Sequence, residues 1–478
     1  MARAAAVLLL VAALLAGCGG DEPPAPADST VDATLVDRNR DGALEPGPGE
    51  PPVDRTELAP AARPGAVLAT LAQITDAHVR DEESPARVPF LDRFGGPFAS
   101  TFRPQEALST QVLTAAVRAV DGLAPDAVFV TGDLIDSAES VELDQALAVL
   151  DGGRVDPDTG GPGYAGVQAP ERPDPFFYRP DLDAPRHPGL LDAAERPFES
   201  PGLRAPWYPA LGNHDVLVQG ETPPTAQLDA IATGTRMVVA LPRGAEPDPD
   251  ADPATQVDAL LGSSPSIRVP DDPRRRHLRP AEEIARLTTR DAAPDPLLAA
   301  AGRVTLDYAV DLGDRARALV LDTADRGGGS RGLLRPAQIA WLRDQLARLG
   351  GRALLVFTHN PLDNTVRGDA ALAALDAAPG VVAVIAGNSH RNRITPRPEG
   401  GYWQISTSSL ADHPQQARAL RLRATPSGYV LETWMIDHDG RGLAGVSREL
   451  AFLDAQGGRP LGYAGTPADR NARLFVAR

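Results

Sequence analysis

Residues 127–136 read Ala-Val-Phe-Val-Thr-Gly-Asp-Leu-Ile-Asp. Five apolar or β-branched residues run without polar alternation, the pattern of a strand buried on both faces. Gly132-Asp133 then stops the strand with a turn and leaves a carboxylate at its C-terminal end. The same reading predicts further strands over 66–75, 207–211, 304–310, 318–322, 353–358, 381–386 and 429–435. It predicts helices over 104–123, 140–150 and 336–349. Strands alternating with helices define an α/β layered domain.

The polar residues of interest lie where these strands end. Asp76-Ala77-His78 follows the first, and Gly132-Asp133-Leu134-Ile135-Asp136 the second. Gly212-Asn213-His214-Asp215 follows the strand over 207–211, His359-Asn360 follows Phe357-Thr358, and Gly387-Asn388-Ser389-His390 follows the strand over 381–386. Ligands of open α/β sheets bind outside the carboxyl ends of strands, so five such ends point to one convergent site. Only eight histidines occur in the chain, and four of them (His78, His214, His359, His390) fall in these short segments. Imidazole with carboxylate and amide oxygen is a donor set for Mn, Fe or Zn. A carboxylate between two such ions lets them sit roughly 3.5–4 Å apart, the arrangement used in phosphoryl transfer.

In this order the segments resemble the calcineurin-like metallophosphoesterase family, whose pattern is Asp-x-His, Gly-Asp-x-x-Asp/Asn, Gly-Asn-His-Asp/Glu, a strand-end His and Gly-His-x-His. The likeness runs from about residue 68 to 437. Leu334-Arg335-Pro336-Ala337-Gln338-Ile339-Ala340-Trp341-Leu342, ahead of the His359 strand, also resembles secreted bacterial members. The resemblance implies a β-sandwich of two mixed sheets flanked by helices. It implies two divalent ions (Mn, Fe or Zn), with Asp76, His78 and His390 on the first, Asn213 and His359 on the second, and Asp133 on both. It implies hydrolysis of a phosphodiester or phosphomonoester in a small phosphorylated substrate, by a metal-activated hydroxide. His214 would serve the leaving oxygen, oriented by Asp215 or Asp136. Asn388 stands where the family carries a second-metal histidine, so an amide oxygen replaces an imidazole there. The competing class is a non-catalytic lipoprotein that binds a phosphorylated ligand or a metal through a remodelled site. Asn388 favours it, whereas the retained His214 and Asp133 speak against it.

Outward from this core, residues 1–17 read as an export signal: Arg3, then an apolar run from Ala4 to Leu15 that is too short to span a bilayer. It ends at Leu15-Ala16-Gly17-Cys18, which resembles the lipobox of bacterial lipoproteins and places a lipid on Cys18, the chain's single cysteine. A lone cysteine also excludes an intramolecular disulfide. The expected location is the outer face of the cytoplasmic membrane, held by the lipid alone. Residues 18–66 read as an acidic, Pro-rich tether. Within it Asp37, Asn39, Asp41 and Glu45, around Gly42, partly match a calcium loop, although Pro48 occupies the twelfth position.

The catalytic domain is expected over 67–445, with insertions at 151–205 and 219–300 and a tail at 446–478. Arg274, Arg275 and Arg276 read as a solvated charged turn or as anion contacts, and Ser408, Ser409 and His413 as a plain loop or as rim residues of the pocket. The chain has 478 residues, 64 acidic against 47 basic, and a net charge of -17. That balance argues against non-specific binding to nucleic acid.

Overall fold

The computed structural model describes residues 29–94, 100–244, 248, 264–288, 305–458 and 462–477. Ala127–Thr131 is a strand buried at all five positions. It lies parallel between Val67–Ile74 and Trp207–Ala210. These three strands form one side of a seven-stranded sheet. The order is Val53–Arg55, Ala472–Ala477, Gly428–Asp437, Gln416–Thr425, Val67–Ile74, Ala127–Thr131 and Trp207–Ala210.

The second sheet has six strands: Tyr308–Leu312, Ala316–Leu321, Ala353–Thr358, Val381–Ala386, Tyr402–Ser406 and Arg393–Arg397. Its four inner strands are parallel and its two edge strands antiparallel. The fold is therefore the sandwich of two mixed sheets flanked by helices that the resemblance implies.

Strand alternation explains the layering. Ala318, Val320, Leu355, Phe357, Ala383 and Ile385 join the core shared with the first sheet. Their neighbours Leu319, Leu321, Leu354, Val356 and Val384 face the helices Pro336–Ala347 and Gly368–Asp376. Successive residues of a strand point to opposite faces, so an apolar residue at every position requires cover on both. Phe129 and Phe357 stack across the sandwich with ring centroids 3.8 Å apart. The helix Ser109–Gly122 buries Val112, Leu113, Ala116, Val117 and Val120 in the same core, beside the helix Ser140–Asp151.

The structure moves both expected domain boundaries. From residue 29 onward the expected tether is part of the fold. The buried Thr30 donates its hydroxyl to the Met435 carbonyl (3.0 Å), Ala33–Val36 pairs with Glu45–Pro48, and Val53–Arg55 is an edge strand of the large sheet. Its Pro-rich composition conceals the short strands from a periodicity reading. The expected tail supplies most of the helix Leu443–Gln456 and the strand Ala472–Ala477, which buries Leu474, Phe475 and Val476. Within the calcium-like turn, Asp37 accepts main-chain N–H groups from Asp41 and Gly42 (3.1 and 3.2 Å). The Asp41 carboxylate accepts the Ala43 N–H (2.9 Å), Asn39 donates its amide to Asp41 (2.9 Å), and Glu45 pairs with Arg38 at 3.2 Å.

Parts of both insertions pack on residues 86–91 and Phe102, in a cluster around Phe90, Phe177, Leu228 and Met237. The candidate arginine run lies beside this cluster. Arg275 is fully buried and donates to Asp81 (2.7 Å) and to the Thr159 hydroxyl (2.7 Å). Arg274 pairs with Asp272 and Arg276 with Glu282. Each guanidinium pairs with a carboxylate, Arg275 in the interior and Arg274 and Arg276 half-exposed at the surface.

Burial around Arg275 pushes the Glu83 carboxyl up to about 8, with the Ala165 N–H opposing and Asp81 adding to the rise. The folded chain thus holds a proton that the unfolded chain releases above the ordinary Glu range. That contribution is complete below about pH 4.5 and is lost as pH climbs towards 8. Metal-free protein is expected to melt at lower temperature at pH 8 than at pH 6.5, and Glu83→Gln to reduce the difference. A flat profile in the parent protein would contradict this.

Candidate metal centre

Short loops at the C-terminal ends of strands from both sheets carry the site, and main-chain hydrogen bonds lock the loops together. Asp76 donates its N–H to the Gly132 carbonyl (3.0 Å), His78 to that of Asp133 (2.9 Å), and Gly387 to that of His359 (2.9 Å). Asp76, His78, Asp133, Asn388 and His390 all adopt positive φ, between 45° and 60°. Non-glycine residues rarely enter this region, and such conformations gather where function imposes them. Two glycines make room for the ligands. A Cβ on Gly132 (φ 87°) would lie 2.5 Å from His359 Nδ1, and one on Gly212 would lie 2.1 Å from Asp133 Oδ1. That is the physical content of Gly-Asp and Gly-Asn-His.

Ligand atoms of Asp76, His78, Asp133 and His390 all lie within 4.8 Å of one another, and all four residues are buried. His78 turns Nδ1 to Asp136 Oδ1 (3.0 Å), and His390 turns Nδ1 to Asp412 Oδ2. A carboxylate at Nδ1 fixes the proton there and leaves a lone pair on Nε2. The two Nε2 atoms then face each other at 3.2 Å, and His390 Nε2 is also 3.3 Å from Asp76 Oδ1. Two facing lone pairs beside carboxylates form a place for a cation. Burial, reinforced by His214, drives the His78 pKa down to about 3, so this imidazole is a neutral donor.

A second cluster shares Asp133. His359 Nδ1 lies 2.8 Å from the Thr131 carbonyl, which again leaves Nε2 as the inward donor. Nε2 is 3.2 Å from Asp133 Oδ2 and 3.2 Å from Asn213 Oδ1. Asn213 donates its amide N–H to the Gly220 carbonyl (3.0 Å), so its oxygen is the atom that faces inward. Three acceptors converge, and positive charge is favoured among them. Burial opposes a charged His359, but Asp133 outweighs it and raises the pKa to about 10. Both clusters therefore fit divalent ions.

Asn388 donates its main-chain N–H to both carboxylate oxygens of Asp76 (3.0 and 3.2 Å). A histidine tolerates its φ of 60°, as His78 and His390 already show. Asn388→His is expected to tighten metal binding at the cluster of Asp133, Asn213 and His359 by about tenfold, roughly 1.4 kcal/mol. Unchanged affinity in a metal titration would remove Asn388 from the ligand set.

His214 stands at the edge, its side chain 15% exposed. Its Nδ1 is 2.8 Å from the Asp136 carbonyl oxygen and 3.4 Å from Asp136 Oδ1, and its ring meets that of His78 edge-on at 4.4 Å. Burial disfavours the imidazolium, yet Asp133 and then Asp136 outweigh burial and raise the His214 pKa.

Asp215 is not the orienting residue. Its oxygens accept the N–H groups of Gly212 (2.7 Å) and Ile135 (3.1 Å), so it shapes the loop. Of the two expected orienting residues the structure places Asp136 on His214. Asp136 is in turn held by Arg80 (3.2 Å) and Arg87 (3.5 Å).

The expected rim residues are also corrected. Ser408 and Ser409 are fully buried, and Ser409 caps the Asp412 N–H (2.9 Å). His413 packs on Phe452, and burial followed by Arg448 lowers its pKa to about 4. The residue of this loop that reaches the centre is Asp412, which has no spacing signal in the sequence. Cys18 lies outside the described residues, and among the described residues no helix is long and apolar enough to cross a membrane.

No family model matches the sequence, and no curated protein matches it. Among solved structures the chain is similar to a dimetal phosphatase from Danio rerio. The identity is 13% and the TM-score 0.43, over 78% of this chain and 97% of that one. It is similar to PhoD at 10% identity and a TM-score of 0.34, over 86% of this chain and 80% of that one. It is also similar to the sulfate thiohydrolase SoxB of Thermus thermophilus, at 15% identity and a TM-score of 0.31, over 83% of this chain and 61% of that one. The fold class rests on the two sheets and their strand order, and the chemistry rests on the residues described above.

Proposed function

We propose that the protein is a metal-dependent phosphoesterase acting on a small phosphorylated substrate. The observation that carries this reading is the pair of donor clusters sharing Asp133, with a protonatable His214 at their open edge. Asp76, His78, Asp133 and His390 would hold one divalent ion, and Asp133, Asn213, His359 and Asn388 the other. Bound divalent ions supply charge neutralisation for phosphoryl oxygens and make water more acidic.

The chain's own residues do the rest. The strand-end loops hold the donors rigid. Asp136 keeps the His214 proton on Nδ1 and favours the imidazolium, so Nε2–H is free to protonate the leaving oxygen. Phosphodiester and phosphomonoester substrates both suit this reading. We also read Cys18 as the site of a lipid anchor that holds the exported protein at the outer face of the membrane. The mass of the mature N-terminus tests this, and an unmodified Cys18 would refute it.

The test of function is hydrolysis of a chromogenic phosphodiester and monoester by metal-stripped protein, reloaded in turn with Mn²⁺, Zn²⁺, Fe²⁺ or Mg²⁺. Turnover that requires metal supports the reading and ranks the two ester classes. A folded protein that binds two ions and turns over neither ester would instead support a binding protein with a remodelled site, the reading that Asn388 favours.

A further inference from the structure

We infer that Asp412, clamped by Arg103, is a positioning residue that sets the affinity of the first metal site through His390. The inference rests on the reading of Asp76, His78, Asp133 and His390 as metal ligands. Asp412 Oδ2 faces His390 Nδ1 in a hydrogen bond. Arg103 grips the same carboxylate with two donors, Nε to Oδ1 (2.6 Å) and a terminal nitrogen to Oδ2 (3.0 Å). Both residues are buried, and this forked geometry holds a carboxylate in one orientation.

The surrounding chain adds to the grip. Leu410 and Ala411 donate their N–H groups to the Asp76 carbonyl (3.2 Å each), and Gln105 donates its amide to the Ala411 carbonyl (2.9 Å). Residues 409–412 thus hold Asp76 by main chain and His390 by side chain. Arg103 and Gln105 reach them from the segment that opens the helix Ser109–Gly122.

The two donor clusters are unequal in this respect. In the first, His78 and His390 are each backed by a carboxylate, Asp136 and Asp412. In the second, His359 is backed only by the neutral carbonyl of Thr131 (2.8 Å). A carboxylate behind a metal-binding imidazole fixes its tautomer and ring orientation and strengthens Nε2 as a donor. The first site is therefore the tighter one, filled first and emptied last, and the second exchanges with free metal.

The test is a Mn²⁺ binding isotherm of metal-stripped protein, with free Mn²⁺ followed by electron paramagnetic resonance. The parent protein is expected to show two classes of site. Asp412→Asn alone leaves Arg103 buried without its counter-charge. The double variant R103Q/D412N keeps the charge balanced and is the decisive one, its folding checked by circular dichroism. In it the tight class is expected to weaken by about 10–100-fold while the weak class stays within about twofold. Ester hydrolysis by the same variant is expected to return to within about threefold of the parent at saturating Mn²⁺, as loss of ligand positioning requires and general loss of structure does not.

An unchanged tight class in a folded double variant would overturn the inference, as would equal weakening of both classes. If the two classes respond as expected and no ester is cleaved, the positioning role stands and the phosphoesterase reading fails.

Discussion

Asp133→Ala is expected to lower metal-dependent ester hydrolysis by at least about 10³-fold, the upper end for removal of one electrostatic group from an active site. The reason is the number of partners that one carboxylate serves. Oδ2 lies 3.2 Å from His359 Nε2 and 3.8 Å from His78 Nε2, one imidazole from each donor cluster. Oδ1 accepts the His214 N–H at 2.8 Å, which fixes the loop that carries the candidate acid. Burial opposes the Asp133 charge, yet His359 and then His214 outweigh it and hold the pKa well below the usual carboxylate range. Removal therefore leaves two donor sets without their shared charge, and metal content is expected to fall together with activity. Circular dichroism separates this from unfolding. A folded variant that keeps two ions, or hydrolyses within about tenfold of the parent, would contradict the bridging role.

His214→Ala is expected to behave differently. Its ring is partly exposed and belongs to neither of the donor sets that share Asp133, so metal content is expected to be unchanged while kcat falls by about 10²–10⁴-fold, the range for general acid catalysis. The loss is expected to be largest for esters with poor leaving groups and small for a p-nitrophenyl ester, because a good leaving group needs no proton. The pH profile gives an independent sign. The carboxylates of Asp133 and Asp136 raise the His214 pKa against burial, and the acid form is the active one. The parent's kcat should therefore fall as pH climbs above that raised pKa, and the variant should lose this alkaline limb. Equal losses for good and poor leaving groups would remove the acid role.

Much of this was legible in the sequence because the signals are local. Ala127–Thr131, Ala353–Thr358 and Val381–Ala386 are continuous apolar runs closed by polar residues, and they occur as strands over those same bounds. Each ends at a site loop, and the structure brings Asp76, His78, Asp133, Asn213, His359 and His390 into two clusters.

What stayed hidden depends on distant pairing. Gln416–Thr425 carries three arginines among apolar residues, yet Arg418 is fully buried among the hydroxyls of Thr407 and Thr433 and the Asn392 amide oxygen. Ala472–Ala477 carries a short apolar run, but its partners lie at residues 53–55 and 428–433. Asp412 and Arg103 are 309 positions apart, and neither falls in a motif. Asp215 stands beside His214 in the sequence, whereas its capping of the Gly212 and Ile135 amides is a property of the folded loop.

The most direct measurement is a crystal structure of the Mn²⁺-loaded protein with an anomalous difference map collected at the manganese edge. Two peaks are expected on either side of Asp133, about 3.5–4 Å apart, one contacted by His78 and His390 and the other by His359 and Asn213. A single peak, or peaks that leave Asp133 uncoordinated, would contradict a dinuclear centre built on the Gly132-Asp133 turn.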